Sequence, residues 1–183
     1  MANRVAPSSP ELAAFYSARA TWRNWGEERM RYRVAQKLAQ IRPGHAVLDI
    51  APEFAGPDVL IHDITKGLPF PDASFDRAFM IEVLEHTPTA FQTAGEVFRV
   101  LKPGGVWVVS VPNPYHFKEI IWNLFGVADK WGHVYSWTKQ TMTRLGEMNG
   151  FRLADYAGTY FYPPIPAPWW LLARSIAYKF VKD

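Results

Sequence analysis

Hydrophobic residues recur every three to four positions from about Pro10 to Ile41, where Phe15, Trp22, Trp25, Met30, Val34 and Leu38 mark one face of a predicted helix. The period then shortens. "RPGHAVLDI" reads as a turn and a buried strand over Ala46–Ile50, and "PDVLIHDI" as a second short strand over Val59–Ile64. "KGLPFPDASFD" is loop by its proline, glycine and aspartate content, and "DRAFMIEVL" carries a third strand over roughly Arg77–Ile81. Thr87 before Pro88 predicts a helix start, with Phe91, Ala94, Val97, Phe98 and Leu101 on one stripe that stops at "KPGG". "GVWVVSV" is the near-continuous apolar run of a strand covered on both sheet faces.

Further on, "NPYHFKEIIWNLFG" reads as helix or lid. Thr138 caps another predicted helix, with Met142, Leu145 and Met148 inward and Gly150 as terminator. "FRLADYAGTYFY" reads as a strand pair, "PPIPAP" as a stiff connector and "WWLLARSIAYKFVKD" as a basic, aromatic-rich helix. Alternating strands and helices predict an α/β fold with a mostly parallel sheet. One domain over 1–183 is expected, with an N-terminal helical region to residue 44, a core over 45–162 and a connector with a C-terminal helix over 163–183.

Composition narrows the chemistry. The chain has 183 residues, 49% hydrophobic, and no cysteine, which excludes disulfides, thiolate metal sites and thiol nucleophiles. No apolar run suits a signal peptide or approaches the ~20 residues needed to cross a bilayer, so a soluble cytoplasmic protein is expected. The basic excess is local: Arg19, Arg23, Arg29, Arg31, Arg33, Lys37 and Arg42 fall in the N-terminal helical region, against Glu27 and Glu28. A solvated helix face is the favoured reading over a patch for an anionic partner, and no nucleic-acid module accompanies it.

"VLDI", "LPFPDASFDRAFMIEVLEH", "EVFRVLKPGGVWVVSVPNPYH" and "GHVYSWTKQTMTRLGEMNGF" together resemble the class I S-adenosylmethionine-dependent methyltransferases, in their small UbiE/UbiG-like branch. The likeness covers roughly Ala46 to Leu153. It implies a Rossmann-like, mostly parallel sheet and S-adenosylmethionine as cofactor. In that family the first strand ends in an acid followed by alternating glycines, which let the backbone approach the ligand closely. Here Asp49 matches the acid, while Ala51, Glu53 and Ala55 stand where the glycines would be. Pro52 removes a backbone donor, and Glu53 brings a negative charge near the place of the cofactor carboxylate.

Spacing departs from the family as well. A βαβ unit needs about 30 residues, yet only Ala51 to Gly67 separate Ile50 from Leu68, and "VLIHDI" uses part of that interval. The first crossover helix and the adjacent strand and helix are therefore expected to be lost. "VLIHDIT" matches either the family's second strand, with a ribose-binding acid, or its third, with an acid near the adenine; Asp63 is the acid either way, and a turn-capping role is its alternative.

Methyl transfer from a sulfonium needs orientation and sometimes a base. By the resemblance Asp49, Ala51, Asp63, Ile64, Ile81 and Glu82 would bound the cofactor, and His86 and His133 would face the acceptor. For His86 the alternative is a backbone-bonding residue; for His133, beside Trp131, Tyr135 and Trp137, it is core packing. No metal site is expected, because the histidines are scattered and no H-x-x-x-H occurs. The C-terminal helix is expected to cover the bared sheet, with a peripheral membrane contact or a partner dock as alternatives.

Two functions remain. Loss of the glycines and of the crossover elements favours a non-catalytic interaction or regulatory protein, a pseudoenzyme meeting a protein partner or a second copy. The alternative is an active methyltransferase on a small-molecule, lipid-linked or sugar-linked acceptor, using an abbreviated pocket.

Overall fold

A computed structural model describes residues 25–50, 64–127, 132–161 and 169–183. Five strands form one sheet: β1 (Val47–Ile50), β2 (Phe75–Ile81), β3 (Leu101–Pro112), β4 (Phe151–Gly158) and β5 (Ser175–Lys182). Their order is β1-β2-β3-β5-β4; β1, β2 and β3 run parallel, and β5 runs antiparallel to both β3 and β4. The described helices are α1 (Trp25–Ala39), α2 (Ala90–Val100), α3 (Phe117–Leu124) and α4 (Lys139–Met148).

Period-two alternation gives the sheet two apolar faces. Ala78, Met80, Trp107, Val109, Tyr178 and Phe180 point to one face, beneath Ala94 and Val97 of α2 and Met142 and Leu145 of α4. Phe79, Ile81, Val106, Val108 and Ala177 point to the other, against Ala35, Leu38 and Ala39 of α1. This is the shortened α/β sheet of the Rossmann-like type. β1 lies directly beside β2, from Val47 opposite Arg77 to Ile50 opposite Met80, with no crossover helix between them among the described residues.

The motif residues that flank this sheet have structural partners. Arg99 donates to the carbonyls of Leu68 (2.9 Å) and Phe70 (2.8 Å) and to Asp72 (2.7 Å), while Glu96 accepts from the Leu68 N–H at 2.8 Å. "LPFPD" is thus held as a loop by the last turn of α2. The hydrogen bond and charge of Arg99 hold the Glu96 carboxyl below its usual range. Asp76 accepts from the Ala46 N–H and from Lys102 Nζ, both at 2.8 Å, which joins the entrances of β1, β2 and β3.

Several expectations need correction. The stretch expected as a C-terminal helix is the interior strand β5, preceded by a short 3-10 turn over Trp170–Leu172. From Ser175 the sequence alternates, and Ile176, Tyr178 and Phe180 all enter the core, so no helical face remains to cover the sheet or meet a membrane. "FRLADYAGTYFY" gives one strand, β4, rather than a pair. Thr87 does not open α2: its hydroxyl donates back to the Val83 carbonyl at 2.9 Å, and the helix starts at Ala90. Phe91 and Met148 are exposed, whereas Ala90, Thr93 and Val100 complete the buried stripe of α2. Thr138 does cap α4, accepting from the Thr141 N–H at 3.1 Å, and Gly150 closes it at φ 84°. The proposed strand over Val59–Ile64 lies outside the described residues except for Ile64, which begins a 3-10 turn over Ile64–Lys66. "PPIPAP" lies outside them as well, as does the N-terminal region before Trp25.

"NPYHFKEIIWNLFG" contains α3, and no residue of that helix is buried. Leu124 and Phe125 at its end are 78% and 76% exposed. Among the described residues no helix is long and apolar enough to cross a membrane.

Candidate functional site

Open α/β sheets bind ligands beyond the carboxyl ends of their parallel strands, here past Ile50, Ile81 and Pro112. At the first of these ends Asp49 is half-buried and its Oδ2 accepts from the Tyr32 hydroxyl of α1 at 3.1 Å. Ile64 is half-buried, Ile81 is buried against α1, and Ala51 and Asp63 lie outside the described residues.

Glu82 leaves β2 at φ 54°, a left-handed conformation that costs a non-glycine residue strain. Its side chain turns inward, where it is 7% exposed. Ser110 Oγ donates to Oε1 at 2.7 Å, Ser175 Oγ donates to Oε2 at 3.0 Å, and Arg31 Nη2 lies 3.4 Å from Oε2. Arg31 also donates to the Tyr160 hydroxyl at 3.2 Å, and that hydroxyl donates to Glu27 at 2.6 Å. Burial pushes the Tyr160 phenol above its usual range, although the Arg31 charge opposes the shift. Four elements thus meet at one buried polar network. Of the described cofactor candidates, Asp49 and Ile64 keep partial exposure, whereas Ile81 is buried and Glu82 is engaged by protein groups.

Sequence reasoning missed Arg31, Ser110, Ser175 and Tyr160. For Arg31 a signal existed: it falls on the stripe of Val34, Ala35 and Leu38 at helical spacing, so it points to the core and not to the solvated face assigned to the basic residues. The serines carry no such signal.

The structure brings His86 and His133 together, with ring centroids 4.8 Å apart. His86 ends the short turn Leu84–His86, and its Nδ1 lies 3.3 Å from the Gly132 carbonyl. The Val134 and Tyr135 N–H groups donate to the Glu85 carbonyl at 2.7 and 3.2 Å, and the Tyr135 hydroxyl donates to the Pro88 carbonyl at 2.9 Å. Trp137 is buried core, while Trp131 lies outside the described residues. An open groove of about 770 Å³ between Tyr115, Trp170 and the outer face of α4 is lined by none of the candidate residues.

His116 is a further buried histidine, at the N-cap of α3. Its Nδ1 accepts from the Lys118 N–H at 3.3 Å and faces Arg174 at 3.4 Å. Burial lowers its pKa to about 4, helped by the Arg174 and Lys118 charges. The unfolded chain therefore takes up a proton near pH 6.5 that the folded chain refuses until about pH 4. Stability is expected to fall by up to ~1.4 kcal/mol per pH unit as pH drops through that window. Urea midpoints across it, compared with those of His116→Asn, check this: asparagine keeps a cap acceptor and should flatten the dependence.

Sheet order, helix placement and the ligand end of the strands define a methyltransferase-type α/β protein. Residues 28–109 match the family model described as "Methyltransferase domain". In sequence and in fold the chain is similar to the class I S-adenosylmethionine-dependent methyltransferases. It is 27% identical to sterol methyltransferase-like 1 of Botryococcus braunii over 216 residues, covering 91% of this chain and 54% of that one. It is 35% identical over 129 residues to 24-methylenesterol C-methyltransferase 2 of Oryza sativa subsp. japonica, covering 45% of this chain and 36% of that one. Among solved structures, it superposes with a TM-score of 0.69 and 15% identity on a chain of the complex between the Haloferax volcanii Trm112 methyltransferase activator and a methyltransferase, covering 94% of this chain and 96% of that one. The chain spans about a third to a half of the length of the curated relatives it matches. The alignment of 216 residues is longer than this chain of 183, so the Botryococcus protein carries stretches with no counterpart here.

Proposed function

We propose that this chain is a methyltransferase-fold protein whose cofactor end is remodelled, so that it does not hold S-adenosylmethionine in the family's manner, and that it works as an interaction or regulatory subunit. One observation carries the reading: among the described residues β1 is the edge strand of the sheet, and only residues 51–63 separate it from the turn that leads back to β2. That interval is too short for a helix and the two strands that would wall an adenosine. Ala51, Glu53 and Ala55 in place of glycines, and Glu82 turned inward, support it. The exposed apolar side chains of α3 are the surface on which a protein partner or a second copy would be met. A solved structure of similar fold is a complex with a methyltransferase activator, which supports this part of the reading.

A second reading is favoured by the sterol methyltransferase-like relative, which aligns across 91% of the chain. In it the chain is an active methyltransferase on an apolar acceptor. The cofactor, when bound, supplies a methyl group on a positively charged sulfur. Asp49, Ile64 and Asp63 would bound it, and His86 and His133 would orient the acceptor or take its proton.

Calorimetric titration of the folded chain with S-adenosylmethionine and S-adenosylhomocysteine separates the two. No binding heat up to millimolar ligand is expected. Micromolar binding that weakens in Asp49→Ala would overturn the non-catalytic reading.

A further inference from the structure

The chain's histidines are scattered in sequence, yet folding places two of them beside a buried carboxylate. Glu85 is 1% exposed, its Oε1 lies 3.8 Å from His86 Nε2, and the potential ligand atoms of Glu85, His86 and His133 all fall within 4.8 Å of one another. We propose that these three side chains bind a single divalent transition-metal ion of the zinc class, which clips the loop around His133 to the end of β2.

Three observations carry the assignment. First, His86 Nδ1 lies 3.3 Å from the Gly132 carbonyl, which can only accept, so a hydrogen bond here is made by the tautomer with its proton on Nδ1. Nε2 is then directed toward Glu85, and a histidine oriented through its second nitrogen by a carbonyl is the usual support of a metal ligand. Second, the backbone already brings the two segments together: Glu85 presents its carbonyl to the Val134 and Tyr135 N–H groups while its carboxylate turns toward the imidazoles. The loop is held from the main chain, so its ligand atoms need only side-chain rotation to converge. Third, the donor set is two imidazole nitrogens and one carboxylate oxygen. That set suits zinc, cobalt or nickel and is poor for magnesium or calcium, which prefer oxygen throughout.

Tetrahedral zinc with bonds of ~2.0 Å holds its ligand atoms about 3.3 Å apart. Closing from the observed spread requires a movement of up to about 1.5 Å, which side-chain rotation of the half-buried His133 and His86 can supply. Three protein ligands leave one position for water or another oxygen. The proposal stands apart from cofactor binding, since none of Asp49, Ile64 or Ile81 takes part.

The test uses the whole chain after dialysis against a chelator. Cobalt(II) is added while visible absorption is followed, and zinc affinity is then measured by competition. One ion per chain, bound at micromolar concentration or tighter with the intense absorption of low coordination number, is expected, together with a raised Tm. His133→Ala and His86→Ala should each weaken binding at least ten-fold, whereas His45→Ala should leave it unchanged. His133→Gln, closer in size, serves if the alanine variant does not fold. Absence of binding at millimolar zinc, binding unaltered by both site variants, or binding of magnesium in place of zinc would each overturn the proposal.

Discussion

Phe180→Ala should lower the unfolding free energy by about 3–5 kcal/mol, a large part of what a domain of this kind possesses. Phe180 is 0% exposed, and its ring centroid lies 5.5 Å from that of Trp107 and 6.1 Å from that of Phe151. Truncation removes the apolar ring and leaves a cavity lined by side chains from α4, β3 and β4, which cannot all collapse into it. α4 is built around the same ring: a Cβ at Gly146 would come within 2.7 Å of Phe180 Cδ1. Gly146→Ala, which in an exposed helix would gain up to ~1 kcal/mol, should instead lose about 1–3 kcal/mol by overpacking. The double variant should be less damaged than the sum of the two, because the added methyl enters the space the ring vacates. Urea denaturation of the four proteins measures all of this. A loss below ~0.5 kcal/mol for Phe180→Ala would mean that its ring is not enclosed between α4, β3 and β4.

The error over β5, expected as a helix, shows where legibility ended. "IAYKFVK" alternates, but Trp169 to Leu172 precede it with a continuous apolar run, and together they mimic a helical stripe. A strand inserted between β3 and β4 takes its position from partners that are distant in sequence, and no local period reports that. β2, β3 and α4 were legible because their apolar runs are bounded by turn chemistry: Asp72 and Ser74 before β2, "KPGG" at the entrance of β3, Thr138 and Gly150 around α4. The family motifs were legible for a reason separate from catalysis. Asp76, Arg99 and Lys102 are spaced in sequence so as to meet main-chain carbonyls, N–H groups and one another across the entrances of the strands. They therefore report the fold and leave the activity open.

Candidate residues could be named from the sequence, but their arrangement could not. Glu82 could be named from its place after β2, but the direction of its side chain depends on Ser110, Ser175 and Arg31, which come from three other elements. His86 and His133 meet because a loop docks its N–H groups on the Glu85 carbonyl, a contact that the side-chain pattern does not encode. Main-chain pairing of this kind is set by backbone geometry and is silent in the sequence.

Arg31→Met should cost about 3–5 kcal/mol, since it strands the Glu82 carboxylate in a site where 7% of the side chain is exposed. The two serine hydroxyls would still donate to Glu82, but neither carries the charge that offsets its burial. Glu82→Gln should cost less, because Arg31 keeps Glu27 and the Tyr160 ring and hydroxyl as partners. Arg31→Met combined with Glu82→Gln should recover much of the loss, as removing both charges of a buried pair is often close to neutral. Chemical denaturation at neutral pH in low and high salt is the measurement, and the cost should change little with salt because the pair is shielded from solvent. A cost below ~1 kcal/mol that vanishes in high salt would mean that water reaches the pair, and the end of β2 would then be open to a charged ligand after all. The same result would weaken the non-catalytic reading, since that reading takes Glu82 to be held by the protein's own cation. A large, salt-insensitive cost would place Arg31 as the group that closes the ligand end of β2 from the side of α1.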